Sequence, residues 1–154
     1  MLHISKLFNE SQIKGLTTEL KCMEKFIEYG FIVSVPYGNS SRYDLLLDCG
    51  NEKYIRIQCK TAHLNENGSY TINTSNKVST TSKRLTKYYD NSQIDFIASI
   101  ILDQLVVIPV DLISTARSKV FRVDVPKFGT KSSCNLIENF TVEKCILPML
   151  TEKE

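Results

Sequence analysis

RYDLLLDCGNEKYIRIQCKT, from Arg42 to Thr61, reads as two short strands folded about a turn at Gly50-Asn51. Side chains alternate faces along a strand. In the second strand Tyr54, Arg56, Gln58 and Lys60 share one face, while Ile55, Ile57 and Cys59 share the natural core face. In the first strand Asp44, Leu46 and Asp48 share a face, and Leu45 and Leu47 lie opposite. With Gly50, Asn51 and Glu52 as the hairpin loop, Leu45 faces Ile57 and Leu47 faces Ile55. On the other face Asp44 meets Gln58, with Lys60 one pleat further along. A slip of one residue would send the two apolar sets to opposite faces, so burial selects this register. Directly opposed residues have Cβ atoms about 5 Å apart. The pattern therefore gathers a carboxylate, a carboxamide and an ammonium in one small patch.

Outward from the hairpin, Gln12 to Tyr29 reads as a helix, because Ile13, Leu16, Leu20, Met23 and Ile27 recur at helical spacing and Gly30 follows as a stop. Glu19 lies on that helix on the opposite side from Leu16, Leu20 and Met23, near the boundary. FIVSVPYG reads as a short strand running into a loop. Asn65 to Gly68 is a turn, and SYTINT after it a strand. Asn73 to Asp90 is polar and reads as loop with some helix. IDFIASIILDQLVVIPV gives two strands with a turn near Asp103-Gln104. The last forty residues are weakly patterned and are taken to pack on the same sheet. This order predicts α+β or α/β with one central sheet. No repeat or linker interrupts it, and 154 residues suit a single domain over 1–154.

Hydrophobic residues make up 42% and charged residues 23%, which is a globular composition. A net charge of +2 excludes a histone-like polycation. No apolar run approaches the roughly 20 residues a membrane helix needs, and the first residues lack a signal peptide's apolar stretch. A cytoplasmic protein with no membrane partner is expected. The five cysteines show no C-x-x-C spacing, and His3 and His63 are the only histidines, so neither a zinc site nor a disulfide framework is expected. Small buried thiols are the simpler reading.

The patch suits phosphodiester hydrolysis, which needs a hard divalent cation on oxygen ligands. Asp44 is the candidate principal ligand, Gln58 offers its amide oxygen, and Lys60 is a cation able to orient water or stabilise developing charge. Glu19 is a candidate further carboxylate. Solvated surface residues would produce the same pattern, so the patch alone leaves both readings open.

Glu19, then Tyr43-Asp44, then Gln58-Cys59-Lys60 with apolar flanks resembles the PD-(D/E)XK nuclease superfamily. GLTTE, GFIVSVPYG, SRYD and RIQCKTA together look like its small homing endonucleases encoded in group I introns, which also carry Gln at this place. The resemblance covers about Gly15 to Ala62. It implies a restriction-endonuclease-like core, a mixed central β-sheet flanked by helices. It also implies a DNA endonuclease that uses Mg²⁺, with Mn²⁺ as a substitute, and makes site-specific double-strand cuts. Glu19, Asp44, Gln58 and Lys60 become the catalytic set, and the backbone carbonyl of Cys59 joins Asp44, Gln58 and Glu19 around the metal. Tyr43 departs from the superfamily's Pro. Gln58 departs from its second acid and brings no net charge to a cation. A junction resolvase, a restriction or repair nuclease, or an inactive DNA-binding module on the same fold are the alternatives.

Between Asn67 and Tyr89 no acid appears, and Lys77, Lys83, Arg84 and Lys87 give the segment +4, twice the charge of the whole chain. Tyr70, Tyr88 and Tyr89 interleave with them. Such a run is often a solvated face. Beside a nuclease hairpin it reads as a phosphate-contacting surface for double-stranded DNA, with the segment's Ser, Thr and Asn as further contacts. Arg42, two residues before Asp44, is placed at the scissile backbone. One catalytic patch per chain and two strands to cut imply a homodimer or homotetramer.

Overall fold

A computed structural model of the chain describes residues 8–38, 40–79, 84–128 and 134–151. It opens with helix α1 (Glu10–Glu28), whose start is fixed by a capping box. The Asn9 side chain accepts from the Gln12 amide at 2.9 Å, and the Gln12 side chain accepts from the Asn9 amide at 2.9 Å. At the far end Gly30 takes φ +89°, a left-handed turn that a side chain would strain.

Strands β1 (Ile32–Ser34), β2 (Leu45–Asp48), β3 (Tyr54–Cys59), β8 (Phe96–Ile101) and β9 (Gln104–Pro109) form one sheet in the order β1-β2-β3-β8-β9. The sheet is mixed, since β3 and β8 run parallel and the other neighbours antiparallel. Between β3 and β8 the chain builds β4 (Ala62–Leu64), β5 (Tyr70–Asn73), β6 (Ser75–Ser79) and β7 (Arg84–Tyr88). After β9 come β10 (Ser118–Arg122), β11 (Asn135–Leu136) and the short helices α2 (Val142–Cys145) and α3 (Leu147–Thr151). Strands β11-β10-β5-β4 make a second sheet, and β6 pairs with β7.

The hairpin register is the one burial selects: Leu45 pairs with Ile57 and Leu47 with Ile55. Gly50, Asn51 and Glu52 form the loop, all with positive φ. Both faces of the five-stranded sheet are covered, which explains the unbroken apolar run of β8 and β9. Phe96, Ala98 and Val107 join Cys22 and Phe26 of α1 and Val142 and Ile146 of the C-terminal segment in one cluster. Ile97, Val106 and Ile108 face the other way, against Ile72 of β5 and Phe121 of β10. Helices thus flank one face, and the second sheet covers the other.

Four expectations change. Within Asn73 to Asp90 the described residues form mainly the β6–β7 pair rather than loop with helix; the sequence there does not alternate polar with apolar residues and so hid the strands. The β8–β9 turn sits at Leu102 and Asp103, one residue early, both with positive φ. The C-terminal third divides: α2 and the residue after it pack on the central sheet, while β10 and β11 belong to the second. On α1 the packed stripe is Cys22 and Phe26, with Met23 partly buried, whereas Ile13, Leu16, Leu20 and Ile27 lie exposed. Of the five cysteines only Cys22 is fully buried. No helix among the described residues is long and apolar enough to cross a membrane.

Candidate active site

Asp44 stands one residue before β2, and its amide donates to the Ile57 carbonyl at 2.8 Å, extending the ladder by one bond. There β2 stops while β3 continues to Cys59. The Cys59 amide would lack a strand partner on that side, and the Asp44 carboxylate supplies one: it accepts from Cys59 N at 2.7 Å. The same Oδ2 accepts from Gln58 Nε2 at 2.5 Å, and Gln58 Nε2 lies 3.5 Å from the Cys59 carbonyl oxygen. The electropositive end of the amide thus sits between a carboxylate and a carbonyl, where two oxygens converge. A half-turn about the last Gln58 torsion presents its oxygen there instead. Together with Glu19 these are oxygen donors suited to a hard cation. Among the described residues no group of three or more His, Cys, Asp or Glu gathers, so Gln58 has to complete any such donor set.

Glu19 is half-buried and lines a cavity of about 310 Å³ together with Asp44. Burial pushes its carboxyl up, and the Asp44 charge adds to the rise. Burial likewise raises Asp44, against the lowering effect of the Cys59 amide, the Lys60 charge and the Gln58 amide. Two acids strained toward neutrality by burial are a demand for positive charge. Lys60 is partly buried, and burial lowers its pKa while Asp44 pulls it back up. Its backbone is anchored by a 2.9 Å bond to the Ala98 carbonyl, and the next residue, Thr61, meets Thr18 of α1 hydroxyl to hydroxyl at 3.1 Å.

On the other side of Asp44 a polar cleft of about 460 Å³ is lined by Arg42, Asp44, Gln58, Asn76 and Tyr89. A larger cavity of about 720 Å³ opens beyond Lys60, toward Lys14 and His63.

With this arrangement in view, the profile of the family described as PD-(D/E)XK endonuclease matches residues 9–143. The chain belongs to the PD-(D/E)XK endonuclease family. It is therefore a DNA endonuclease, of a family whose members generally use divalent metals. The solved structure of a bacterial homing endonuclease, I-Ssp6803I, superposes with a TM-score of 0.69 at 20% identity, over 80% of this chain and 84% of that one. That likeness carries the restriction-endonuclease-like fold. A search of curated proteins found no match.

In this PD-(D/E)XK endonuclease the fold brings Glu19, Asp44, Gln58, the Cys59 carbonyl, Lys60 and Arg42 to one end of the β2–β3 hairpin. Lys87 is exposed on β7, opposite Asn76 of the cleft. Lys77 pairs with Thr86 and Arg84 with Ser79 along the backbone; Lys83 lies outside the described residues. Three polar residues expected to face DNA are buried instead. Ser69, Thr74 and Ser75 are at most 4% exposed. Thr74 Oγ1 donates to the Ala116 carbonyl at 2.7 Å, and the Asn73 side chain accepts from the Ser75 amide at 3.0 Å. Ser40 and Ser41 also line the cleft, and no local pattern in the sequence marks them. Asn76 belongs to the polar segment expected to contact DNA, and it lines the cleft; Tyr89, expected to interleave with the basic face, is only 2% exposed.

Proposed function

We propose that the protein is a divalent-metal-dependent, site-specific endonuclease of the homing type, cutting both strands of DNA as a homodimer or homotetramer. The observation that carries this reading is the convergence of the Asp44 carboxylate, the Gln58 amide and the Cys59 carbonyl beside Glu19 and Lys60. Asp44 and Glu19 would contribute the negative charge of the metal site, and Gln58 and Cys59 neutral oxygens. A divalent cation held there, Mg²⁺ or its substitute Mn²⁺, supplies charge neutralisation at the scissile phosphate and acidifies water. Lys60 directs its ammonium at the phosphate and stabilises the charge that develops on it. Arg42 holds the adjoining backbone. Lys77, Lys83, Arg84 and Lys87 contact flanking phosphates, which sets register without reading sequence.

Oligomerisation is supported by one such centre per chain against two strands to cut. The exposed apolar stripe Ile13, Leu16, Leu20 and Ile27 of α1 offers a self-complementary face for a second copy. A single domain over 1–154 is proposed on the same grounds as before: no linker breaks the sequence.

The deciding experiment incubates plasmid and source DNA with the protein and Mg²⁺ or Mn²⁺, beside Lys60→Ala and a chelator control. Discrete fragments from the wild type alone support the whole reading. Smears would replace the homing type by a nonspecific nuclease. Cleavage confined to branched DNA would make it a resolvase. Tight binding without cleavage in either metal would leave a DNA-binding module.

A further inference from the structure

Lys60 is the cation of the site, yet no carboxylate lies within 4.0 Å of its ammonium among the described residues. A lysine stem has many rotamers, so something else must hold the charge in place. Its Nζ sits 5.3 Å from the centroid of the Tyr89 ring. An aromatic face attracts an ammonium within about 6 Å of its centroid. The ring is itself immobilised: Tyr89 is 2% exposed and belongs to the cluster between the central and second sheets. It also lines the cleft shared by Asp44 and Gln58. Burial and the Asp44 charge push its phenol up to about 12, so the ring stays neutral at working pH.

We propose that Tyr89 is a positioning residue whose ring face holds the Lys60 ammonium in place while leaving its charge available to the DNA phosphate. A carboxylate in the same place would fix the lysine equally well but neutralise it. The aromatic face fixes it and leaves a full positive charge. The inference rests on Lys60 facing phosphate, as in the function proposed above.

The test separates the ring from the hydroxyl, and the clamp from the chemistry. Protein carrying ¹³C-lysine is compared as wild type, Tyr89→Phe, Tyr89→Leu and Tyr89→Met, with the Lys60 signal assigned by its loss in Lys60→Arg. Wild type and Tyr89→Phe should show the Lys60 ε-methylene displaced upfield by the ring, and Tyr89→Leu and Tyr89→Met should not. Single-turnover cleavage with Mg²⁺ should stay within about twofold for Tyr89→Phe. It should fall about tenfold for the two aliphatic variants, with DNA affinity unchanged. Tyr89→Met fills much of the ring's volume, so a melting temperature near wild type excludes a folding defect as the cause. An unshifted Lys60 signal in the wild type overturns the proposal. So does a loss in Tyr89→Phe as large as in Tyr89→Leu. A shifted signal in a wild type that cleaves nothing would instead sink the catalytic reading of Lys60.

Discussion

Arg56 and Lys60 occupy the same face of the same strand, four residues apart, and each has an aspartate nearby. Their situations are opposite. Arg56 donates twice to Asp95, from Nη2 at 2.8 Å and Nε at 3.1 Å, and its remaining donors reach the Ser92 and Asn91 carbonyls at 2.8 and 2.7 Å. The bonding to Asp95 raises its pKa, against the lowering effect of burial. Lys60 has burial against it, an aromatic ring for a neighbour and, among the described residues, no carboxylate at contact distance. The difference arises from where the neighbouring strands end. At Arg56 the parallel strand β8 is about to begin, and the loop before it offers Asp95 and two carbonyls. At Lys60 strand β2 has already stopped, and Asp44 is engaged by Gln58 and Cys59. A saturated cation holds the fold, and an unsaturated one is available to a ligand.

Removing each cation should break the molecule in a different way. Lys60→Ala is expected to lower cleavage about 10²- to 10³-fold with little change in melting temperature or DNA affinity. Arg56→Ala should cost about 2 kcal/mol of stability, since it strips charge-assisted bonds from half-exposed partners, yet cleave at a near wild-type rate wherever it remains folded. Equal rate losses at a temperature where both variants are folded would erase the distinction.

Next in size is the basic segment. Lys83→Ala, Arg84→Ala and Lys87→Ala together should flatten the log–log salt slope of DNA binding by up to about 3. An unchanged slope would remove this segment from the DNA surface. Gln58→Glu sharpens the comparison from the metal side. By adding a carboxylate it should tighten divalent-metal binding roughly tenfold by calorimetry, and Glu19→Ala should weaken it. Full cleavage by Glu19→Ala would exclude Glu19 from the site. The smallest expected effect lies away from the hairpin, where the Tyr29 hydroxyl donates to Glu143 Oε1 at 2.7 Å. That bond holds the Glu143 carboxyl below its usual value. Its stabilisation is therefore present above the unfolded carboxyl's pKa and lost as pH falls through the folded one. Because Glu143 is exposed, Tyr29→Phe should cost only a few tenths of a kcal/mol at neutral pH, and less in acid. A Tyr29→Phe deficit that does not shrink in acid would argue against the carboxylate's role.

The hairpin was legible in the sequence because its information is local. Alternation set the faces, burial set the register, and together they placed Asp44 opposite Gln58 with no knowledge of the rest of the chain. Arg42 and Lys60 followed from the same count. Glu19 needed the helix phase, and there the apolar residues misled. Leu16 and Leu20 look like a core stripe, but the packed face runs through Cys22 and Phe26, with Glu19 beside it.

What the sequence determined alone is the hairpin, its register and its family, since period-2 alternation and a short spaced motif survive without tertiary context. Only the tertiary structure decided which charges are spent on the fold. It gave Arg56 its partner from a loop 39 residues away, and it buried Tyr89 under Lys60. It also drew Thr74 and Ser75 inside the second sheet. These outcomes depend on contacts between elements far apart in the chain, and no local pattern records which distant group will arrive to satisfy a given charge.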